Sequence, residues 1–206
     1  MLLYYITDRK QFPGAEAEQR DQLLGRIADA ARAGVDYVQL REKDLPSNEL
    51  ECLAVAALKA VRASDKNTRL LINSRADIAL ATGADGVHLR SNDISPADVR
   101  RIWRSAGLTT QPVVAVSCHS GNDVKSAKAA GADFVVFGPV FGKGAAPATG
   151  VDALRAACAH GIPVLALGGV TAANTRPCTE AGAAGIAGIR LFEHGYLPGV
   201  LTRLRA

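Results

Sequence analysis

Residues 31–41 read ARAGVDYVQLR: small helix-forming residues, a glycine at position 34, then an apolar run. The same order recurs at 81–90 (ATGADGVHLR), 127–138 (AKAAGADFVVFG) and 179–190 (TEAGAAGIAGIR). The four glycines, Gly34, Gly83, Gly131 and Gly182, stand 49, 48 and 51 residues apart. Glycine behind a helical stretch suits a left-handed helix terminus, which an L side chain resists, and the apolar run that follows reads as a buried strand. Between successive copies lies a second apolar run, so each period of roughly 50 residues holds two strand-plus-helix units of about 25 residues. Four periods make eight units, and the spacing predicts an α/β chain folded as a (β/α)8 TIM barrel, one compact domain over 1–206.

Working outward from these stretches, strands are expected at 2–6, 69–73, 112–117 and 163–167, alternating with strands at 35–40, 86–89, 133–137 and 185–189. All are short, rich in β-branched residues and nearly continuous in apolar character, as parallel strands covered on both faces are. Helices are expected at 15–33, 47–64, 75–82, 95–106, 121–130, 151–160, 171–181 and 195–205. In the first, Leu23, Leu24, Ile27, Ala30 and Ala31 recur at three- and four-residue steps, with Glu16, Arg20, Asp21, Arg26 and Asp29 on the other side. Several open on residues suited to helix starts: Ser95 with Pro96, Asp152, Thr171. An open doubly wound sheet also alternates strand and helix, but it gives no reason for a fourfold repeat, and no G-x-G-x-x-G follows the first strand.

The 206 residues, 48% of them hydrophobic, suffice for one substantial core. Barrels of this class usually run near ~250 residues, so few insertions are expected. No apolar run approaches the ~18 residues of a membrane span, and the start, MLLYYITDRK, lacks a basic leader region and meets Asp8 early. A soluble, cytoplasmic protein without a membrane partner is expected. The net charge of +4 is small and evenly spread, which argues against a nucleic-acid partner and suits an anionic small substrate. Cys52, Cys118, Cys158 and Cys178 show no C-x-x-C spacing and read as reduced structural thiols.

In a barrel of this kind the chemistry gathers where the strands end. Those positions are Thr7 and Asp8; Gln39, Arg41 and Lys43; Asn73; His88, Arg90 and Asp93; Ser117 and His119; Gly138 and Pro139; Gly168 and Gly169; and Arg190. Nearly all are polar, cationic or glycine. In VQLREKD (38–44), alternation along the strand puts Gln39 and Arg41 on the lumen side, with Lys43 on the following loop. An amide, a guanidinium fork and an ammonium over five residues make a cradle for a phosphate or diphosphate. The competing assignment is a surface pair between Arg41 and Glu42 or Asp44.

In LALGGVTAAN (165–174) two glycines end a strand before a helix expected from Thr171, an arrangement that offers backbone N–H groups to a phosphate or else only a tight turn. Asp93 has the chemistry to ligate Mg2+ or to help cap the helix near Ser95. His119 is placed either to donate to a phosphate and move a proton or to serve structure. His88 reads as a packed lumen residue, and Asp8 as a turn or substrate-orienting carboxylate.

The ordered set YYITD (4–8), VQLREKD (38–44), LLINSRADIALATGADGVHL (70–89), VSCHS (116–120), GADFVVFGPVF (131–141) and PVLALGGV (163–170) resembles the thiamine phosphate synthase and thiazole tautomerase superfamily. The resemblance implies a (β/α)8 barrel, often dimeric, acting on phosphorylated thiazole and, in the synthases, on a pyrimidine diphosphate. It implies that Gln39, Arg41 and Lys43 hold the diphosphate, that Asn73 and Ser117 touch the pyrimidine or diphosphate, that Asp93 ligates magnesium, and that Gly168 and Gly169 hold the thiazole phosphate. Arg41, Lys43 and Ser117 would then carry the catalysis. The chain departs from the synthase pattern at Ser74 (usually Asp), at Arg90-Ser91 (usually Gly-Gln), in GKGAAPATG (142–150), where Lys143 is displaced and Thr149 stands alone, and at Arg190, near a usual serine. Pro139 stands where the tautomerase branch uses histidine. The expected activity is thiamine phosphate synthesis, with thiazole tautomerisation or non-catalytic binding of phosphorylated thiamine precursors as the rivals.

Overall fold

The computed structural model describes residues 1–142, 148–193, 195 and 197–205. Eight parallel strands form a closed barrel in chain order: β1 (Leu2–Ile6), β2 (Tyr37–Leu40), β3 (Arg69–Asn73), β4 (Gly86–Leu89), β5 (Val113–Cys118), β6 (Phe134–Phe137), β7 (Val164–Ala166) and β8 (Gly185–Gly188). Helices alternate with them: α1 (Glu16–Arg32), α2 (Ser47–Arg62), α3 (Ala76–Thr82), α4 (Pro96–Ser105), α5 (Gly121–Ala129), α6 (Gly150–Cys158), α7 (Thr175–Glu180), α8 (Arg190–Glu193) and α9 (Leu197–Arg205). No helix among the described residues is long and apolar enough to cross a membrane.

The sequence repeat has a backbone meaning. Gly34, Gly83, Gly131 and Gly182 all take positive φ, from 70° to 98°. Each donates its N–H to the carbonyl three residues back (Ala31, Leu80, Lys128, Thr179), and the next residue's N–H reaches five back (Ala30, Ala79, Ala127, Cys178). This is the Schellman pairing, which satisfies helix-end carbonyls and turns the chain towards the next strand. Two residues past each glycine, the N–H of Asp36, Asp85, Asp133 or Ala184 bonds the carbonyl of Leu3, Leu70, Val114 or Val164. In the first three copies the Asp carboxylate also accepts the N–H of that same strand residue, at 2.8 Å (Leu3), 2.8 Å (Leu70) and 2.6 Å (Val114). Each even-numbered strand is thus stitched to the start of its predecessor, which sets its register.

By density of contact the chain falls into two compact units, Leu3–Gly86 with Gly188–Ala206, and Met1–Leu2 with Val87–Ala187. In the first, Tyr4 lies opposite Tyr37 and Ile6 opposite Gln39, while Gln39 in turn faces Leu71. Its core includes Tyr4, Tyr5, Leu23, Ile27, Leu70 and Ile72, all buried. In the second, β5, β6 and β7 run in register from Ala115–Phe134 to Phe137–Ala166, over a core that includes Val114, Phe134, Val135 and Leu154.

Most boundaries lie within two residues of expectation, and three departures have local causes. The second strand starts at Tyr37 rather than 35, because Val35 spends its N–H on the helix end and Asp36 on the stitch. The seventh helix starts at Thr175 rather than 171: Asn174 accepts the Thr171 N–H through Oδ1 (2.7 Å) and donates its own N–H to the Thr171 carbonyl, so a polar turn precedes the helix. The helix expected at 195–205 is preceded by a separate short one, α8, opened by Arg190. A single 3-10 turn at Arg9–Gln11 was not foreseen. All four cysteines are free; Cys118 and Cys178 are buried, whereas Cys52 is exposed and has no core role.

Candidate active site

In the first unit the amide of Gln39 is buried and donates through Nε2 to Asn73 Oδ1 at 2.8 Å. Asn73 Nδ2 in turn donates to the Ser74 hydroxyl, and Ser74 holds a positive φ of 59°. Gln39 Oε1 is buried with no hydrogen-bond partner among the described residues. A buried acceptor in that state costs free energy, on the order of 1–3 kcal/mol, that a donor on a bound molecule would recover.

Arg41 follows β2. It does not pair with Glu42 or Asp44, because both belong to Arg9. The buried Arg9 guanidinium donates to Glu42 Oε2 (3.0 Å), to both oxygens of Asp44 (2.7 and 2.9 Å) and to Glu16 (2.8 Å). Hydrogen bonds from Arg9 and then Lys10 hold the Asp44 carboxyl well below the usual carboxylate range. The Arg41 guanidinium is left with no hydrogen bond or ion pair among the described residues. Arg190, exposed at the start of α8, has no such partner there either.

Glu42 is itself buried and accepts from Thr7 Oγ1 (2.6 Å) and from the Arg9 N–H (3.1 Å). Burial pushes its carboxyl up, and the Thr7 and Arg9 donors oppose that shift. The backbone N–H of Asp8 donates to Glu193 Oε1 at 3.0 Å, and the side chain of Asp8 accepts from Gln11. Asp8 is therefore a turn residue. Thr7 stands at a strand end as expected, but the network it forms with Arg9 and Glu42, beside the Asp8 N–H bond to Glu193, was missed in the sequence, because its members are brought together from distant stretches.

In the second unit His88 is buried, as expected of a lumen residue, and its Nε2 lies 2.7 Å from Ser117 Oγ. Arg90 and Asp93 close on one another: Oδ2 of Asp93 accepts the Arg90 N–H (2.8 Å), and Oδ1 accepts from the guanidinium (2.9 and 3.2 Å). The N-terminal cap of α4 is Ser95, whose hydroxyl accepts the Asp98 N–H, so Asp93 does not cap that helix. His119 Nδ1 lies 2.6 Å from the Gly138 carbonyl oxygen. A carbonyl only accepts, so Nδ1 carries the proton and, in the neutral ring, Nε2 is the open acceptor. Burial pushes the thiol of neighbouring Cys118 up to about 12, which keeps it unreactive.

Gly168 and Gly169 have φ of 95° and 65°, and a Cβ on either would strike the segment after β6: 2.5 Å from Pro139 Cα and 2.8 Å from Phe141 Cβ. Phe141 donates its N–H to the Gly168 carbonyl. The amides of Gly168 and Gly169 make no hydrogen bond among the described residues. The helix expected to open at Thr171, directly behind them, begins only at Thr175. Thr149 is spent on the Pro139 carbonyl through its N–H (2.8 Å) and hydroxyl (2.9 Å). Residues 143–147, Lys143 included, lie outside the described residues.

The family model described as thiamine monophosphate synthase matches residues 3–192. A thiamine-phosphate synthase of Methanoculleus marisnigri is 38% identical over 190 residues, covering 90% of this chain and 84% of the relative. One of Roseiflexus sp. (strain RS-1) is 35% identical, covering 98% and 82%. Among solved structures, thiamine phosphate pyrophosphorylase from Pyrococcus furiosus superposes with a TM-score of 0.81 at 27% identity, over 99% of this chain and 93% of that one. A 3-hexulose-6-phosphate synthase shares the fold at 19% identity and a TM-score of 0.69.

Proposed function

We propose how this chain, which belongs to the thiamine monophosphate synthase family, performs the family's reaction. It is a transferase of thiamine biosynthesis, a thiamine-phosphate synthase, joining hydroxymethylpyrimidine diphosphate to thiazole phosphate with release of pyrophosphate. The observation that carries the assignment of residues is the unpaired Arg41 guanidinium. A cation followed in sequence by two carboxylates that Arg9 engages, and without a partner among the described residues, is available to an anionic ligand.

Arg41 and Lys43 take the diphosphate, a bidentate fork beside a mobile point charge. Gln39 Oε1, buried without a donor, accepts an N–H of the pyrimidine's amino group, and Asn73 fixes the other end of the Gln39 amide. For Ser117, 2.7 Å from His88 Nε2, the family resemblance implies a diphosphate contact. The bond between the pyrimidine methylene and the diphosphate oxygen breaks first, leaving a cation-like carbon stabilised by the amino-substituted ring. The thiazole nitrogen then forms the new C–N bond. Catalysis of this kind is orientation and stabilisation of the leaving group. The open amides of Gly168 and Gly169 suit the thiazole phosphate, as glycine lets an anion approach the backbone. Arg190, without a partner among the described residues, offers a further cation to a phosphate, and His119 presents its Nε2 as a substrate contact.

Magnesium is a different matter. The only carboxylate of the predicted ligand set, Asp93, has both oxygens engaged by Arg90, and Ser74 supplies a hydroxyl where the synthase pattern has a second carboxylate. Among the described residues no group of three or more His, Cys, Asp or Glu side chains is placed to hold a metal ion. With Asp93 as the one carboxylate offered, a magnesium ion here would rest chiefly on the substrate's own diphosphate, and Arg41 and Lys43 would share the charge of the departing group.

Incubating the protein with both substrates and Mg2+ and resolving the products by chromatography tests the reading. Thiamine phosphate and pyrophosphate should appear in equal amounts, and Arg41→Ala should lower kcat/KM for the pyrimidine diphosphate at least about tenfold, roughly 1.4 kcal/mol of transition-state stabilisation. No product despite measurable binding of thiazole phosphate would reject it.

A further inference from the structure

The loop after β1 is held more firmly than its exposed neighbours at 10–15 require. Three successive amides are engaged: Thr7 N–H to the Gln39 carbonyl (3.0 Å), Asp8 N–H to Glu193 Oε1 (3.0 Å) and Arg9 N–H to Glu42 Oε2 (3.1 Å). Thr7 also accepts the Arg41 N–H through Oγ1 at 2.9 Å and donates that hydroxyl to Glu42 Oε1 at 2.6 Å. One buried threonine therefore bonds the backbone on either side of Leu40, at the two residues whose side chains are assigned to the pyrimidine diphosphate. We propose that Thr7 and Glu42 are positioning residues for Arg41: the carboxylate polarises and orients the Thr7 hydroxyl, which fixes the Arg41 backbone and with it the root of the guanidinium.

The chemistry requires an ionised carboxylate at position 42. Thr7 O–H, Arg9 N–H and the Arg9 guanidinium all point donors at it, and only an acceptor with two oxygens answers them all. The relay has a direction, from Arg41 N–H to the Thr7 hydroxyl to Glu42, and a hydroxyl that donates to a charge is a stronger acceptor for the next bond. Thr7 and Glu42 are buried, and unlike Gln39 Oε1 their side-chain oxygens are all engaged within the protein, the Thr7 hydroxyl by Arg41 and Glu42 and the carboxylate by Thr7 and Arg9, so both act through Arg41.

This inference rests on the assignment of Arg41 to the diphosphate, and a double-mutant cycle tests it separately from that assignment. Thr7→Val keeps the shape and removes the hydroxyl. It should lower kcat/KM for the pyrimidine diphosphate about tenfold while KM for thiazole phosphate stays within about twofold, and Thr7→Ser should restore the rate. On an Arg41→Ala background Thr7→Val should have no further effect. An equal loss on both backgrounds would overturn the positioning role while leaving the Arg41 assignment intact. Wild-type rates in Arg41→Ala alone would instead remove that assignment and this inference with it. If Thr7→Val is recovered unfolded, Glu42→Asp, which keeps the charge and withdraws it by one methylene, goes through the same cycle with the same expected outcomes.

Discussion

Burial pushes the Glu193 carboxyl up to about 8, the Asp8 and Glu42 charges add to the shift, and the Asp8 N–H and Arg26 oppose it. Its Oε2 has no hydrogen-bond partner among the described residues, as a protonated, desolvated acid tolerates better than an anion does. The folded pKa lies above the ordinary value of 4.5, so between the two the folded chain keeps a proton that the unfolded chain has lost. Stability from this group is complete below the unfolded value and declines as pH rises through the folded one. Glu193→Gln should remove that decline, giving an unfolding free energy in urea that is flatter than wild type by on the order of 1–2 kcal/mol after solvent screening. Parallel pH profiles for the two proteins would show that Glu193 ionises normally and that the orphan oxygen is met by solvent.

Among the turns that join the elements, two kinds of glycine look alike in sequence and differ in cause. At Gly83 a Cβ would meet nothing within 4 Å, so its requirement is conformational, a φ of 70° at the end of α3. Gly83→Ala should cost about 1–2 kcal/mol, seen as a lower urea midpoint with an unchanged slope and unchanged activity. At Gly168 a Cβ would lie 2.5 Å from two atoms of Pro139, so the segments after β6 and β7 would have to separate. Gly168→Ala should cost roughly 3 kcal/mol or more and raise KM for thiazole phosphate; a loss no larger than at Gly83 would place the tightness elsewhere. The helix-end glycines were legible because their cause is local and recurs. The start of α7 was not, since Thr171 looks like a helix cap until Asn174 is seen folding back on it. The same limit governed the site: Gln39, Arg41 and Asn73 could be named from strand ends, but that Arg41 is unpaired depends on Arg9, which lies far off in sequence.

For the molecule as a whole, the repeat is both what made the barrel legible and where it is unfinished. Three of four copies place an aspartate two residues past the glycine, and each carboxylate accepts a strand N–H. The fourth copy has Ala184, whose N–H still bonds the Val164 carbonyl as in the other three. The backbone geometry is therefore retained and only the side chain is missing. Ala184→Asp should let Oδ accept the Val164 N–H, adding a charge-assisted bond of about 1 kcal/mol net and raising Tm by roughly 2–4 °C in a chain of this size. The reverse substitution, Asp36→Ala, should cost at least as much, because it leaves the Leu3 N–H beside β2 unsatisfied. If the three aspartates are stabilising and the fourth is not, burial around Ala184 differs from its counterparts enough that a carboxylate there is not repaid by one bond. Gain at 184 matched by loss at 36 would show that the four glycine-to-strand turns are energetically as well as geometrically equivalent, and that the period read from the sequence is a period of interactions.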